Sequence, residues 1–221
     1  MPIRVTVDII VFSVKRGRLE VLLIERRNNP FKGVPALPGG FVEENESLEQ
    51  AAVRELSEET NVKNVFVKQI GAYGDVKRDP RGRTISIAFI ALVDSDKFEL
   101  KSTEDAKNAR WVFVEEAETL AFDHSKILAD AIKELRYEIQ TTNIAAQLMP
   151  EKFTLTELQK VYETILGTEL DKRNFRKKIS YLNLVVPTKM QRMEGAHRPA
   201  VLYRFRDSEY KILKDKMHVF T

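Results

Sequence analysis

The stretch LPGGFVEENESLEQAAVRELSEETNV, residues 37–62, decides the reading of this chain. Ser47 followed by Gln50 has the form of a capping box, in which the two side chains satisfy orphan amides at a helix start, so a helix is predicted from Leu48 to about Thr60. Leu48, Ala52 and Leu56 give it a buried stripe. Glu55, Glu58 and Glu59 fall at spacings of three and four and share a patch. Glu58 and Glu59 occupy the last turn, where the negative end of the helix dipole disfavours an acid by roughly 0.3 to 1 kcal/mol. Carboxylates gathered against the dipole and against one another make sense around a hard divalent cation, which takes oxygen ligands and shares phosphate oxygens. A solvated acidic face, partly neutralised by an Arg54–Glu58 pair, is the alternative. Just before the helix, Gly39 and Gly40 leave the backbone bare, so a phosphate chain can approach it or a carbonyl can reach a metal.

Written as a pattern, the segment is Gly40, five residues, Glu46, seven residues, Arg54-Glu55-Leu56, one residue, Glu58-Glu59, one residue, Asn61, Val62. This resembles the Nudix box. Asn61 departs from it, standing where the family has glycine; the position ends the helix in a left-handed conformation that asparagine tolerates. The resemblance implies action on a diphosphate linked to a nucleoside. It also implies Mg2+, or Mn2+ in its place, held chiefly by Glu55 and Glu59 with Glu58 and the Gly40 carbonyl assisting, while Arg54 and Glu46 brace loop and helix. Glu104 and Asp105 are candidates for a base outside the box, or else solvated loop acids. In the basic turn Arg78-Asp79-Pro80-Arg81-Gly82-Arg83, Arg81 and Arg83 are candidates to meet the diphosphate; a plain hairpin tip is the competing reading.

Working outward, Val5, Val7, Ile9 and Val11 share one face of an extended segment, and Lys15-Arg16-Gly17-Arg18 turns the chain into a second apolar run, Leu19 to Ile24. That is a hairpin. Strand patterns follow at Val65–Tyr73, Thr84–Val93 and Arg110–Val114, and a helix at Lys126 to about Gln140 carries the stripe Ile127, Ala131, Leu135. The order predicts an α/β (α+β) fold with a mixed sheet sandwiched between helices. Thr141–Phe153, with polar residues and Pro150, reads as a linker, which divides the chain into domains 1–146 and 147–221.

The two domains differ in charge. Residues 1–146 carry 21 Lys and Arg against 24 Asp and Glu, and residues 147–221 carry 15 against 9. A basic second domain suits a polyanion. Thr154 with Glu157 makes another capping box, and a helix through Leu155, Leu158, Val161, Tyr162 and Ile165 stops at Gly167. Asp171 caps a further helix whose Phe175, Ile179 and Leu182 face inward, leaving Lys172, Arg173, Arg176, Lys177 and Lys178 around the rest. Strands at Leu184–Val186 and Ala200–Phe205 flank a basic loop with Lys189, Arg192, His197 and Arg198. Two helices joined by a tight turn and followed by such a hairpin make a winged helix, with double-stranded DNA as its expected partner through these cations. Protein contact or dimerisation is the other use of that fold.

A Nudix domain followed by a winged helix is similar to the Nudix-related transcriptional regulators. That resemblance implies a homodimer that responds to ADP-ribose or a related nucleotide in the control of NAD metabolism. Many such regulators have a degraded box, whereas every acidic position is present here, so loss of hydrolysis does not follow. Two alternatives stay open: a Mg2+-dependent ADP-ribose pyrophosphatase with an accessory domain that does not bind DNA, and a regulator of sugar use that senses a sugar.

The chain has 221 residues, 43% apolar and 31% charged, as soluble globular proteins do. It lacks cysteine, which excludes disulfides and thiolate metal sites and fits the cytoplasm. Its longest largely apolar stretch, Ile85–Val93, broken only by Ser86, is about half the ~20 residues of a membrane helix, so no membrane partner is expected.

Overall fold

A computed structural model describes residues 2–100, 107–193 and 199–213. Glu104, Asp105, His197 and Arg198 lie outside the described residues. The chain forms two compact units, residues 1–134 and 135–221.

In the first unit β1 (Arg4–Lys15) and β2 (Arg18–Glu25) form the hairpin, paired from Phe12 opposite Val21 to Lys15 opposite Arg18. β3 (Pro35–Ala36) and β4 (Gly39–Phe41) lie inside the proline- and glycine-rich stretch that carries no strand signal, because two- and three-residue strands are too short for periodicity to register. β5 (Val67–Tyr73), β6 (Thr84–Leu92) and β7 (Lys107–Phe113) complete a seven-stranded sheet. Its order is β3-β2-β1-β6-β5, with β4 also on β1 and β7 on β2. β1 and β6 run parallel and the other pairs antiparallel, so the sheet is mixed. β1 is buried on both faces from Thr6 to Ser13, and the alternating Val5, Val7, Ile9, Val11 reading captured one face of it only.

Val7, Ile9 and Val11 pack with Leu22, Phe89 and Ala91 on Ala51, Ala52 and Leu56 of α1 (Leu48–Thr60). The Ser47–Gln50 capping box is formed, and Asn61 ends the helix at φ 64°, ψ 13°, the left-handed geometry the departure from glycine had to accommodate. The even positions of β1 turn to the opposite face, where Asp8 meets His124 at the start of α2 (His124–Thr141).

The second unit takes in the end of α2, α3 (Leu155–Leu166), α4 (Lys172–Tyr181) and the hairpin of β8 (Val185–Arg192) with β9 (Ala200–Phe205). Thr154 and Glu157 form their capping box, and Gly167 closes α3 at φ 71°. Tyr162 and Phe175 meet edge to face at 5.3 Å between α3 and α4. The linker reading needs correction. Thr141 to Ala145, Leu148 and Met149 are buried, and the Asn143 side chain donates to the carbonyls of Asp207 (3.1 Å) and Glu209 (2.7 Å) while accepting from the Lys211 amide (2.7 Å). Polar residues there serve a hydrogen-bonded core and not a tether. The division between units falls inside α2, between Glu134 and Leu135 and ahead of residue 146. No helix among the described residues is long and apolar enough to cross a membrane.

Candidate functional site

The glycine pair and the acidic helix are joined by contacts that a side chain would block. Gly39 pairs with Asp8 across β4 and β1, and a Cβ on it would collide with the Val7 carbonyl. A Cβ on Gly40 would collide with the Glu55 carboxylate. Bare backbone therefore brings α1 against the strand, and the Gly39 amide donates to Glu59 Oε2 at 2.8 Å. Burial, reinforced by the charges of Glu55 and Asp8, pushes the Glu59 carboxyl up to about 8, against the pull of the Gly39 amide and Arg26. Glu55 is also raised, first by burial, with Arg54 opposing.

Arg54 is the brace. Its Nε and Nη2 donate to the two oxygens of Glu46 at 2.9 and 2.6 Å, and Nη2 also reaches the Phe41 carbonyl at 3.0 Å. Those bonds, with the Glu43 amide, hold Glu46 down at about 2. Arg54 Nη1 lies 2.9 Å from Glu55 and 3.3 Å from Glu58. Glu58 has a side chain 57% exposed, which sets it apart from the half-buried Glu55 and Glu59.

Of the box residues, Gly39, Gly40 and Glu59 open onto a cavity of about 260 Å³ whose walls also include Arg26, Arg27, Arg81, Phe41 and Phe122. The guanidinium groups of Arg26 (4.6 Å) and Arg81 (5.4 Å) both lie over the Phe122 ring, and Arg81 is also 5.7 Å from the Phe41 ring. Asp79 orients Arg81 with bonds of 3.0 and 2.8 Å. Arg83 is not in this wall: its Nη1 donates to the Gly74 carbonyl at 2.6 Å, a correction to its candidacy as a diphosphate ligand.

The same cavity is also lined by Asp8, Arg78 and His124, members of a buried polar cluster that sequence reasoning missed. Arg78 donates to Asp123 at 2.9 and 2.7 Å and to Asp8 at 3.2 Å. Ser86 Oγ bonds Asp8 at 2.5 Å. His124 Nδ1 accepts from the Leu37 amide at 3.0 Å, and its Nε2 faces Asp8 at 3.4 Å. Burial lowers the His124 pKa and keeps the ring neutral, with Nε2 as the proton-bearing nitrogen. A signal for this group existed: Asp8 is the only charge in the apolar run Val5–Phe12, where an unpaired carboxylate would be prohibitively costly. Arg26, Arg27 and Phe122 carried none, since a strand end and an aromatic before a helix are ordinary.

Among the described residues no group of three or more acids or histidines forms a ready metal cage. Glu55 and Glu59 nevertheless suit a hard cation that takes only one or two protein carboxylates and completes its shell with water and phosphate oxygens. Like-charged acids crowded together and half-buried are what such a cation would relieve. Across the cavity, three guanidinium groups suit phosphate oxygens and two rings suit a planar base.

In the second unit Lys172, Arg173, Arg176 and Lys177 of α4 are all exposed. Phe175 and Ile179, each 1% exposed, hold the opposite face in the core. Lys189 and Arg192, read as loop residues, belong to β8. Lys189 is exposed, and Arg192 pairs with Glu157 at 2.5 Å.

Two family profiles match the chain: the NUDIX domain over residues 2–139 and the NrtR DNA-binding winged helix domain over residues 145–205. An ADPR-responsive transcriptional repressor, NtrR, of Acinetobacter baylyi is 39% identical over 93% of this chain and 83% of its own length. NrtR of Shewanella oneidensis, solved with a 27mer DNA, superposes with a TM-score of 0.81 at 34% identity, covering 91% of this chain and 93% of that one. Its NUDIX domain solved with ADP ribose gives 0.58 at 32% identity, over 61% and 90%. An ADP-ribose pyrophosphatase of Methanocaldococcus jannaschii is 48% identical over 52% of this chain and 66% of its own length.

Proposed function

The chain belongs to the NrtR family, which joins a NUDIX domain to a DNA-binding winged helix, and we propose that it is a transcriptional repressor whose NUDIX domain binds ADP-ribose and whose winged helix binds operator DNA. The observation that carries this reading is the cavity in which Arg26, Arg27 and Arg81 stand with Phe41 and Phe122 across from Glu59. A nucleoside diphosphate linked to a sugar needs cations for its phosphates and a ring for its base, and both are there at the spacing of one small ligand. Arg81, oriented by Asp79, supplies a rigid guanidinium fork to the diphosphate. Glu55 and Glu59 hold a divalent cation, Mg2+ in this proposal, and Arg54 with Glu46 fixes the loop that carries them. The bound cation supplies charge neutralisation at the diphosphate and activation of water.

Retention of Glu46, Arg54, Glu55, Glu58 and Glu59 favours a second activity, hydrolysis of ADP-ribose in the same cavity. A regulator that hydrolyses its own effector ends its own signal. We place the protein in the cytoplasm as a homodimer, the symmetry that a two-fold operator requires.

Fluorescence anisotropy with duplex DNA from upstream of the protein's own gene tests the proposal. Binding that ADP-ribose relieves supports it. Relief by a free sugar and not by ADP-ribose assigns the sugar-sensing alternative. Absence of binding to any duplex, with Mg2+-dependent cleavage of ADP-ribose, assigns the pyrophosphatase alternative.

A further inference from the structure

The four exposed cations of α4 occupy two different faces, and the half-buried Lys178 lies on the remaining flank. With Phe175 and Ile179 directed into the core, a rotation of 100° per residue puts Arg173 and Lys177 on the outermost line of the helix and puts Lys172, Arg176 and Ser180 along one flank, a turn apart. The surface agrees with that wheel. A cavity of about 690 Å³ runs between α4, the start of α3 and the β8–β9 hairpin, and Lys172, Arg176 and Ser180, with the edge of Ile179, form its α4 wall opposite Pro187, Val201 and Tyr203. Arg173 and Lys177 do not line it. Glu157, in the first turn of α3, has one oxygen on Arg192 at 2.5 Å and the other on the Thr154 amide at 2.7 Å, so its charge is already matched by partners within the unit.

A helix with its side chains is about as wide as the major groove, roughly 10 to 12 Å. Once it enters, only its outermost line reaches base edges, and its flanks face the phosphate walls. Resting on the DNA-binding reading above, we propose that the groove between α4 and the β8–β9 hairpin seats the sugar–phosphate backbone of one DNA strand, held by Lys172 and Arg176, and that Arg173 and Lys177 read base edges. Affinity and sequence preference are then carried by separate pairs of residues on one ten-residue helix.

The test uses the full-length protein and a duplex it selects from a randomised library, compared with a scrambled duplex of equal composition over a range of salt. The Lys172→Ala/Arg176→Ala variant is expected to weaken both duplexes by a similar factor and to flatten the plot of log affinity against log salt by about two. Arg173→Ala/Lys177→Ala is expected to weaken the selected duplex roughly 5- to 150-fold for each base that is no longer read, shrinking its advantage over the scrambled one. Arg176→Lys should keep the salt slope, because a point charge suffices at a phosphate, whereas Arg173→Lys should alter which base is preferred at its position, because a fork and a point charge meet a base edge differently. The reverse pattern, or equal behaviour of the two pairs, overturns the assignment. A wild-type protein that enriches no sequence overturns it together with the DNA-binding reading, while a wild type that selects a duplex and a Lys172/Arg176 variant with unchanged slope overturn the assignment alone.

Discussion

Glu59 carries the clearest consequence of its surroundings. Its carboxyl lies near 8 where a free one lies at 4.5, so at pH 7 it is largely protonated, and a cation must displace that proton to bind. Cation affinity is therefore expected to rise about tenfold per pH unit up to pH 8 and to level off above it, with close to one proton released at pH 7. Calorimetry in buffers of different ionisation heat measures both. The sign for folding is opposite: between 4.5 and 8 the unfolded chain has lost the proton that the folded chain keeps, so stability falls with rising pH across that window. Glu59→Gln should remove this fall, leaving thermal stability higher than wild type at pH 8 and similar at pH 4, while reducing any ADP-ribose turnover by two or more orders of magnitude. Arg78 has the reverse problem. Its side chain is 4% exposed between Asp8 and Asp123, and Arg78→Gln leaves two acids facing each other without a cation. A loss of about 3 to 5 kcal/mol in chemical denaturation is expected, the scale for breaking a buried pair.

At the scale of an element, α1 is set by its ends. Asn61 at φ 64° should tolerate Gly with little change, whereas Asn61→Ala places a Cβ in the left-handed region and is expected to cost about 1 to 2 kcal/mol by equilibrium denaturation. α3 depends on its start in the same way. Thr154→Ala removes the acceptor for the Glu157 amide, with an expected loss of about 0.5 to 2 kcal/mol that thermal melting of the intact protein would report. Both caps were legible because a cap is a local event: the residue, its neighbour three positions on and the backbone angle suffice. The strands of the sheet were less so. β3 and β4 are defined by their partners, Pro35 with Glu25 and Gly39 with Asp8, and no pattern within two or three residues announces a partner elsewhere in the chain.

For the whole molecule, the buried segment from Thr141 to Met149 changes how the chain is handled. A polar linker is an easy proteolytic target, but a segment whose Asn143 holds three bonds to residues 207–211 must open before it can be cut. Limited proteolysis should spare residues 141–149 in the native protein, and Asn143→Ala should expose them. The repressor reading makes a second prediction at this scale. If ADP-ribose and operator DNA favour different states of the protein, each should weaken the other's binding by the same factor, within roughly 5 to 150. Titration of ADP-ribose into free and operator-bound protein, with a variant that does not hydrolyse it, measures that factor from both sides.

What the sequence determined by itself was everything whose physics is short in range: the acidic helix and its two ends, the Gly39-Gly40 approach, the capped helices of the basic unit and the spacing that marks the box. Periodicity and caps are properties of a dozen consecutive residues. The tertiary structure alone decided which distant groups face each other. It put Arg26, Arg81 and Phe122 across from Glu59, turned Arg83 away to Gly74, left Glu58 more exposed than Glu55 and Glu59, and made a packed core of residues that read as a tether. Burial and through-space charge fall off with distance in space, not along the chain, so neither the cavity's walls nor the raised carboxyl of Glu59 can be read before the sheet brings β1, β4 and α1 together.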